Sequence, residues 1–309
     1  MLEAVYNRVK TFVRPLTGQR KILERAKYLG TRILSAQEGN NLLARSMDRP
    51  AAIGKIGAVE LGGLRQYLNQ LNSNGQCESW SYHALRLHRN AGVYPPEPDI
   101  LSRFCRTYAE SLTHLDVLAA WFNWKENAMR QRFAPKATLT ALRALEPYYH
   151  DQPWSQQLAG KRVLVVSPFA ESIRAQYRRR QEVWRAKPVV LPDFDLRTLR
   201  VPLSACLNTA EYPDWFTALD ALRRQMASIQ FDVAIVGAGA WSIPFVAYAK
   251  SLGAWAIHLG GATQILFGIK GNAWKNHPQI AAFFNEAWIR PSASETPQGI
   301  QQIENGRYW

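Results

Sequence analysis

The chain is poor in cysteine and in the patterns that mark the commonest catalytic metals and nucleophiles. Three cysteines, Cys77, Cys105 and Cys206, stand far apart among 309 residues and never form C-x-x-C. That spacing excludes a disulfide framework and a cysteine zinc site, and it fits core thiols in a reducing compartment. The six histidines, His83, His88, His114, His150, His258 and His277, make no H-E-x-x-H pattern, so a histidine metal centre is not expected. No G-x-S-x-G elbow is present, which removes the usual serine hydrolase. Without an RNP pattern, a zinc finger or a basic helix-turn-helix, nucleic acid is not an expected partner. The uncharged run Val233 to Ala249 is broken by Gly237, Gly239 and Pro244, and it reads as buried sheet and helix rather than as a membrane span. The opening MLEAVYNRVKTFVRPLTGQRK puts no apolar core after its early charges, so a cytoplasmic location is the expectation.

Acid is the scarcer charge. Against 38 lysines and arginines stand 24 carboxylates, for a formal charge of +14. Such an excess suits an anionic partner: nucleotide phosphates, an acidic membrane surface or nucleic acid. A hydrophobic content of 47% in 309 residues supports a substantial core, in one large α/β domain with additions or in two domains. Residues 1–46 form a basic helical extension divided by Pro15 and Gly18. The expectation there is a helix packed on the domain with a solvated face, since no aromatic-rich insertion face stands out.

The most informative stretch runs from Phe231 to Gly271. Val233 to Val236 is a short apolar strand, Gly237 and Gly239 make a turn, Ile243 to Leu252 is helical and closes at Gly253, and Ala254 to Leu259 is a second strand ending in Gly260-Gly261. Two glycine-rich loops thus follow consecutive strands on one sheet edge, where ligands bind in open parallel sheets. A dinucleotide fingerprint fits poorly. G-A-G-A-W-S is followed by Pro244, and His258-Leu259-Gly260 supplies no carboxylate for a ribose.

Earlier segments repeat the strand-then-turn pattern. Pro50 to Gly57 is an apolar strand leading into a helix from about Glu60 to Leu71, which puts Glu60 at the junction, as a dipole-compensating acid, a base or a ligand. Helices are expected near Asp99 to Leu112, His114 to Trp124 and Pro213 to Ile229. Lys161 to Ser167 is a strand, and Pro168 to Glu171 opens a helix with Arg174, Arg178, Arg179, Arg180 and Arg185 beyond it. Those arginines form a solvated face or a diphosphate clamp. With Val189 to Leu191 as a further strand, the order from Val163 to Leu259 indicates a doubly wound, Rossmann-like parallel α/β sheet.

Taken together, Lys55-Ile-Gly-Ala-Val-Glu60, Asn90-Ala-Gly-Val-Tyr-Pro95, Val165-Val-Ser-Pro-Phe169 with Gln176, Gly237-Ala-Gly239, and His258-Leu-Gly-Gly-Ala-Thr-Gln264 through Trp274 form an ordered set. That set resembles bacterial glycosyltransferases of the GT-D fold and their surface-polysaccharide relatives. The likeness spans about residues 48–309 and includes Trp288-Ile-Arg-Pro291 and Glu304-Asn-Gly-Arg-Tyr-Trp309. It implies a GT-D-like domain at 47–290 and a tail at 291–309 packed on it. The first motif resembles R-F-G-D-G-E, with Lys55 for the arginine, Glu60 for the glutamate and Ala58 for the aspartate.

What the resemblance implies is transfer from a nucleotide sugar such as a UDP-sugar to a glycan or lipid-linked acceptor. Glu60 would be the base or a Mn or Mg ligand, a role weakened by Ala58. Lys55, Gly57, Asn90, Ser167, Arg174, Arg178, Gly237, Gly239, His258, Gly260, Gly261 and Gln264 would line the donor site. The basic charge suits work at the anionic inner face of the cytoplasmic membrane. An NAD or S-adenosylmethionine enzyme and a catalytically silent binding protein stay open beside it, the latter because of Ala58.

Overall fold

The computed structural model describes residues 16–72, 81–204, 211–302 and 306–309; Cys77, Cys206, residues 1–15 of the basic extension and Glu304-Asn305 of the tail lie outside them. Seven strands make one sheet: β1 (Ala51–Gly54), β2 (Val117–Ala120), β3 (Thr138–Ala141), β4 (Arg162–Ser167), β5 (Asp195–Arg200), β6 (Val233–Val236) and β7 (Trp255–His258). Their spatial order is β3-β2-β1-β7-β6-β4-β5, and every pairing is parallel. The α/β class and the parallel sheet read from the sequence are therefore the observed ones.

The interior strands are apolar on both sides because both faces are covered. Val163 and Val165 point into one core and Leu164 and Val166 into the other. One face carries α3 (Ala58–Asn72), α5 (Pro98–Leu112), α8 (Trp215–Ser228) and α9 (Ser242–Ser251). The opposite face carries α2 (Ala36–Arg45), the turns from Leu142 to Leu158 and α7 (Ala170–Arg178). Local chemistry marks the helix starts. Ser35 and Glu38 form a capping box on α2, Asp214 accepts the Phe216 and Thr217 N–H groups on α8, and Pro98 opens α5.

Two expectations are corrected. The segment expected as a helix from His114 to Trp124 contains β2, an interior strand buried at all four positions. A strand that short and that buried has no alternation to separate it from helix. Val189 to Leu191, expected as a strand, is instead a 3₁₀ turn over Pro188–Val190, and the edge strand is β5. β5 pairs only on its β4 side and carries Asp195, Arg197 and Arg200, so its polar residues hid it.

The loop leaving β2 is held by two buried glutamates. Glu126 opens α6 (Glu126–Phe133) and accepts the N–H groups of Trp121 (2.9 Å), Phe122 (3.1 Å) and Asn123 (3.2 Å) and the Tyr28 hydroxyl (3.0 Å). Glu24, on the N-terminal helix α1 (Leu16–Ala26), accepts Lys125 N–H at 2.9 Å and Asn127 N–H at 2.8 Å. These bonds sustain two left-handed residues in the loop, Phe122 at φ 58° and Lys125 at φ 71°. Glu126→Ala would strand the three loop donors, with an expected stability loss of about 1–3 kcal/mol in urea unfolding. Tyr28→Phe, which removes one donor and strands none of the loop amides, should lose less. Equal losses would show that the carboxylate is not what organises the loop.

Candidate active site

The carboxyl ends of β1, β4, β6 and β7 meet around a cavity of about 370 Å³. Lys55, Gly57 and Glu60 reach it from the β1–α3 junction, Ser167 from the end of β4, Gly237 and Gly239 from the turn after β6, and His258, Gly260, Gly261 and Gln264 from the end of β7. Asn90 comes from the π turn Leu87–Ala91 that extends α4 (Ser81–Arg86). All of these were expected at the donor edge, and the fold brings them together.

Lys55 is the electrostatic centre. It is 7% exposed, and among the described residues its ammonium has no hydrogen-bond acceptor and no ion-pair partner. The ring of Trp121 lies 5.1 Å from Nζ. Burial lowers the affinity of Lys55 for its proton, and the charge of Glu146 partly offsets that. A buried, unpaired ammonium on a cavity wall is a prepared site for an anion.

His258 is set by Lys55 too. Its Nδ1 donates to the Lys55 carbonyl at 3.2 Å, and the imidazole is pushed down to about 3, first by burial and then by the Lys55 charge. The ring is neutral, so Nε2 keeps its lone pair. A Cβ on Gly260 would sit 3.3 Å from that Nε2 and 3.7 Å from Lys55 Nζ. Gly260 adopts φ +59°, and its missing side chain leaves this corner open. Gly237 is required by contact rather than by dihedral. A Cβ there would lie 2.4 Å from Thr263 Oγ1 and 2.7 Å from the Gly260 carbonyl, so the two strand-end loops touch backbone to backbone.

Glu60 folds back over the start of α3. A Cβ on Gly57 would lie 2.0 Å from Glu60 Oε2, so only glycine leaves room for this carboxyl. Burial raises the proton affinity of Glu60, against the pull of its own N–H and the charge of Arg86. A carboxylate tuned upward in this way suits a general base.

Three polar atoms on the cavity wall have no partner among the described residues: Asn90 Oδ1, Thr263 Oγ1 and Gln264 Oε1. Gln264 Nε2 is committed to the Tyr308 carbonyl at 2.7 Å, which aims its oxygen as an acceptor. Buried acceptors left open in this way call for a ligand with hydroxyl or N–H donors.

Arg174 and Arg178, by contrast, are exposed on α7 and do not line the cavity; Arg174 donates to Thr198 Oγ1 at 2.7 Å. Pro168 and Phe169 at the head of α7 reach the cavity, and the arginines lie one and two turns further along on the solvent side. The sequence reading missed the cations that do line it, Arg86 and Arg307, together with Trp121, Thr263, Tyr308 and Trp309. The tail folds back as a wall: Asn272 N–H donates to the Trp309 carbonyl at 3.1 Å and Ala273 N–H to the Arg307 carbonyl at 2.8 Å. Its aromatic, basic composition was the one available signal. Nothing around Arg86 singles it out.

A divalent ion shared with a diphosphate is normally fixed by one or two protein carboxylates. Among the described residues Glu60 is the one side-chain carboxylate on the cavity wall and no three His, Cys, Asp or Glu side chains converge, and position 58 is alanine. The side chains present do not fit a resident ion.

No protein-family model matches the chain, and no curated protein matches it. Among solved structures the chain is similar to one described as "The highly conserved domain of unknown function 1792 has a distinct glycosyltransferase fold". The two share 10% identity, with a TM-score of 0.47 over 78% of this chain and 82% of that one.

The state of His258 makes a pH prediction. An unfolded imidazole takes its proton near 6.5 and the folded one near 3. The unfolded chain therefore binds more protons in this window, and stability falls as pH drops from 6.5 towards 3. His258→Gln should reduce the slope of that part of the stability profile, which His83, pushed down to about 4 by burial, shares, and histidine NMR should show a His258 ring that stays neutral between about pH 8 and 5. A His258 resonance titrating near its ordinary value would refute the assignment.

Proposed function

We propose that the protein is a glycosyltransferase that moves a sugar from a nucleoside diphosphate donor to a hydroxyl of a glycan or lipid-linked acceptor in surface-polysaccharide biosynthesis. The observation that carries this is the buried, unpaired Lys55 ammonium at the carboxyl edge of a parallel sheet, facing a cavity also lined by Arg86 and Arg307. The diphosphate sits against Lys55. Donor hydroxyls or base N–H groups satisfy Asn90 Oδ1, Gln264 Oε1 and Thr263 Oγ1. Glycine at 237, 239, 260 and 261 lets the ligand approach backbone, and Ser167 closes the β4 side.

The chemistry follows from where charge develops. As the bond from the anomeric carbon to the phosphate oxygen breaks, the diphosphate leaves with the electron pair, and the fixed ammonium stabilises that charge in a site of low dielectric. The acceptor oxygen forms the new bond to the anomeric carbon while its proton passes to the Glu60 carboxylate. No step needs a metal-bound group. A dinucleotide cofactor is less well served, since among the described residues no side-chain carboxylate beyond Glu60 lines the cavity to take a ribose diol.

A thermal-shift panel of nucleoside diphosphates, nucleotide sugars, NAD and S-adenosylmethionine tests this, because a ligand that binds only the folded state raises Tm. The expected result is a shift with a nucleoside diphosphate that persists in the presence of a chelator. Lys55→Met should abolish the shift. Glu60→Gln should preserve it while lowering transfer about 10²–10⁴-fold. A panel in which only NAD or S-adenosylmethionine stabilises the protein would sink the proposal, and full transfer by Glu60→Gln would remove its role as base.

A further inference from the structure

Helix α1 inverts the usual order of an amphipathic surface helix. Its one carboxylate, Glu24, is fully buried, and Tyr28, one turn further on, is buried as well. These two fix the inner side of the helix against the β2–α6 loop. Ile22 (71% exposed) and Leu23 (56%) project from the helix, with Leu29 (84%) in the turn that follows. They are the three most exposed large apolar side chains among the described residues. Around them stand Arg20, Lys21, Arg25, Lys27 and Arg32, of which Lys27 pairs with Glu24 at 3.0 Å, Arg25 lies over the Phe122 ring and Arg32 is 3.8 Å from Glu38, and Glu24 is the only acid from Leu16 to Leu34.

We propose that this face of α1 docks the protein on a bilayer containing anionic phospholipid. The apolar side chains enter the boundary between headgroups and acyl chains while the surrounding cations meet the lipid phosphates. Both halves of the surface are then satisfied. A nucleic acid would neutralise the cations but leave Ile22, Leu23 and Leu29 in water. A second copy would bury them but bring like charges together, in a chain whose formal charge is +14.

Docking here also orients the cavity. Glu24 holds Lys125 and Asn127, the Asn127 side chain donates to the Lys27 carbonyl at 2.7 Å, and the Tyr28 ring packs edge-on against Phe122 at 5.3 Å. Helix and loop are one unit, and the loop begins at Trp121, which lines the cavity beneath Lys55. If the proposed transfer is granted, a membrane-borne acceptor would meet the cavity from the side where α1 is docked; the docking itself does not depend on it.

The test is co-sedimentation of the full chain with vesicles of phosphatidylcholine alone or mixed with phosphatidylglycerol, at about 0.15 M salt and at higher salt. Wild type should bind the anionic vesicles only, with a salt-resistant part. The triple variant Ile22→Ser/Leu23→Ser/Leu29→Ser keeps every charge and should bind about ten-fold more weakly. Its fold is checked by circular dichroism and its nucleotide-induced Tm shift should be unchanged, so a failed donor reading would show in that shift and not in the vesicle result.

Undiminished vesicle binding by the triple variant, or none by wild type, would overturn the proposal. Self-association lost in the variant with vesicle binding intact would assign the face to a second copy. Tight binding to duplex DNA that is indifferent to the three substitutions, without a preference for anionic vesicles, would assign the basic surface to nucleic acid. Vesicle binding gained only on removing residues 1–15 would assign the face to that segment.

Discussion

The site depends on one buried charge. Lys55 leaves the end of β1 and enters the cavity with no carboxylate in ion-pair contact among the described residues, Glu146 acting on it without a contact pair, and its neighbours are arranged around that fact. Its carbonyl accepts from His258, which fixes the imidazole as a neutral acceptor, and its ammonium lies over Trp121. A buried charge without a contact partner is unfavourable, and burial shows its effect in the weakened hold of Lys55 on its proton, which the Glu146 charge offsets only in part. An anionic ligand would relieve it.

Around this charge the sheet supplies geometry. β1 and β7 are neighbours, with Ile53 opposite Ile257, so the loops after them emerge side by side and bring Lys55 against His258. β6 lies next to β7 with Val236 opposite His258, which brings Gly237 onto the Gly260 carbonyl and Thr263. A parallel sheet delivers all these loops to one edge. Chain segments some two hundred residues apart (from Lys55 to His258, 203 apart) thereby share one cavity.

The N-terminal helix belongs to the same construction. Glu24 and Glu126 use their oxygens on backbone N–H groups of the β2–α6 loop, and the loop in turn presents Trp121 to Lys55. Two buried acids, which from sequence alone look like members of a solvated face, are thus framework residues. The outward turn of Ile22 follows from that choice, because a helix that buries its acid must expose what lies opposite, and Leu23 stands on the flank beside it.

The sequence by itself determined the α/β class, the strand-turn-helix at Val233–Ser251, the helix at Pro98–Leu112 and the glycine loops of the cavity wall, because glycine turns after β-branched runs are local signals. The tertiary structure decided β2 and β5, since a buried strand of four residues has no readable period and an edge strand rich in charge imitates a loop. It also decided which cations serve the cavity. Arg174 and Arg178 followed a strand end as a clamp should, yet their helix turns them to solvent, while Arg86 and Arg307 arrive from α4 and the folded-back tail. The direction of a side chain on a helix is fixed by what the helix packs against, and that partner lies far away in the chain.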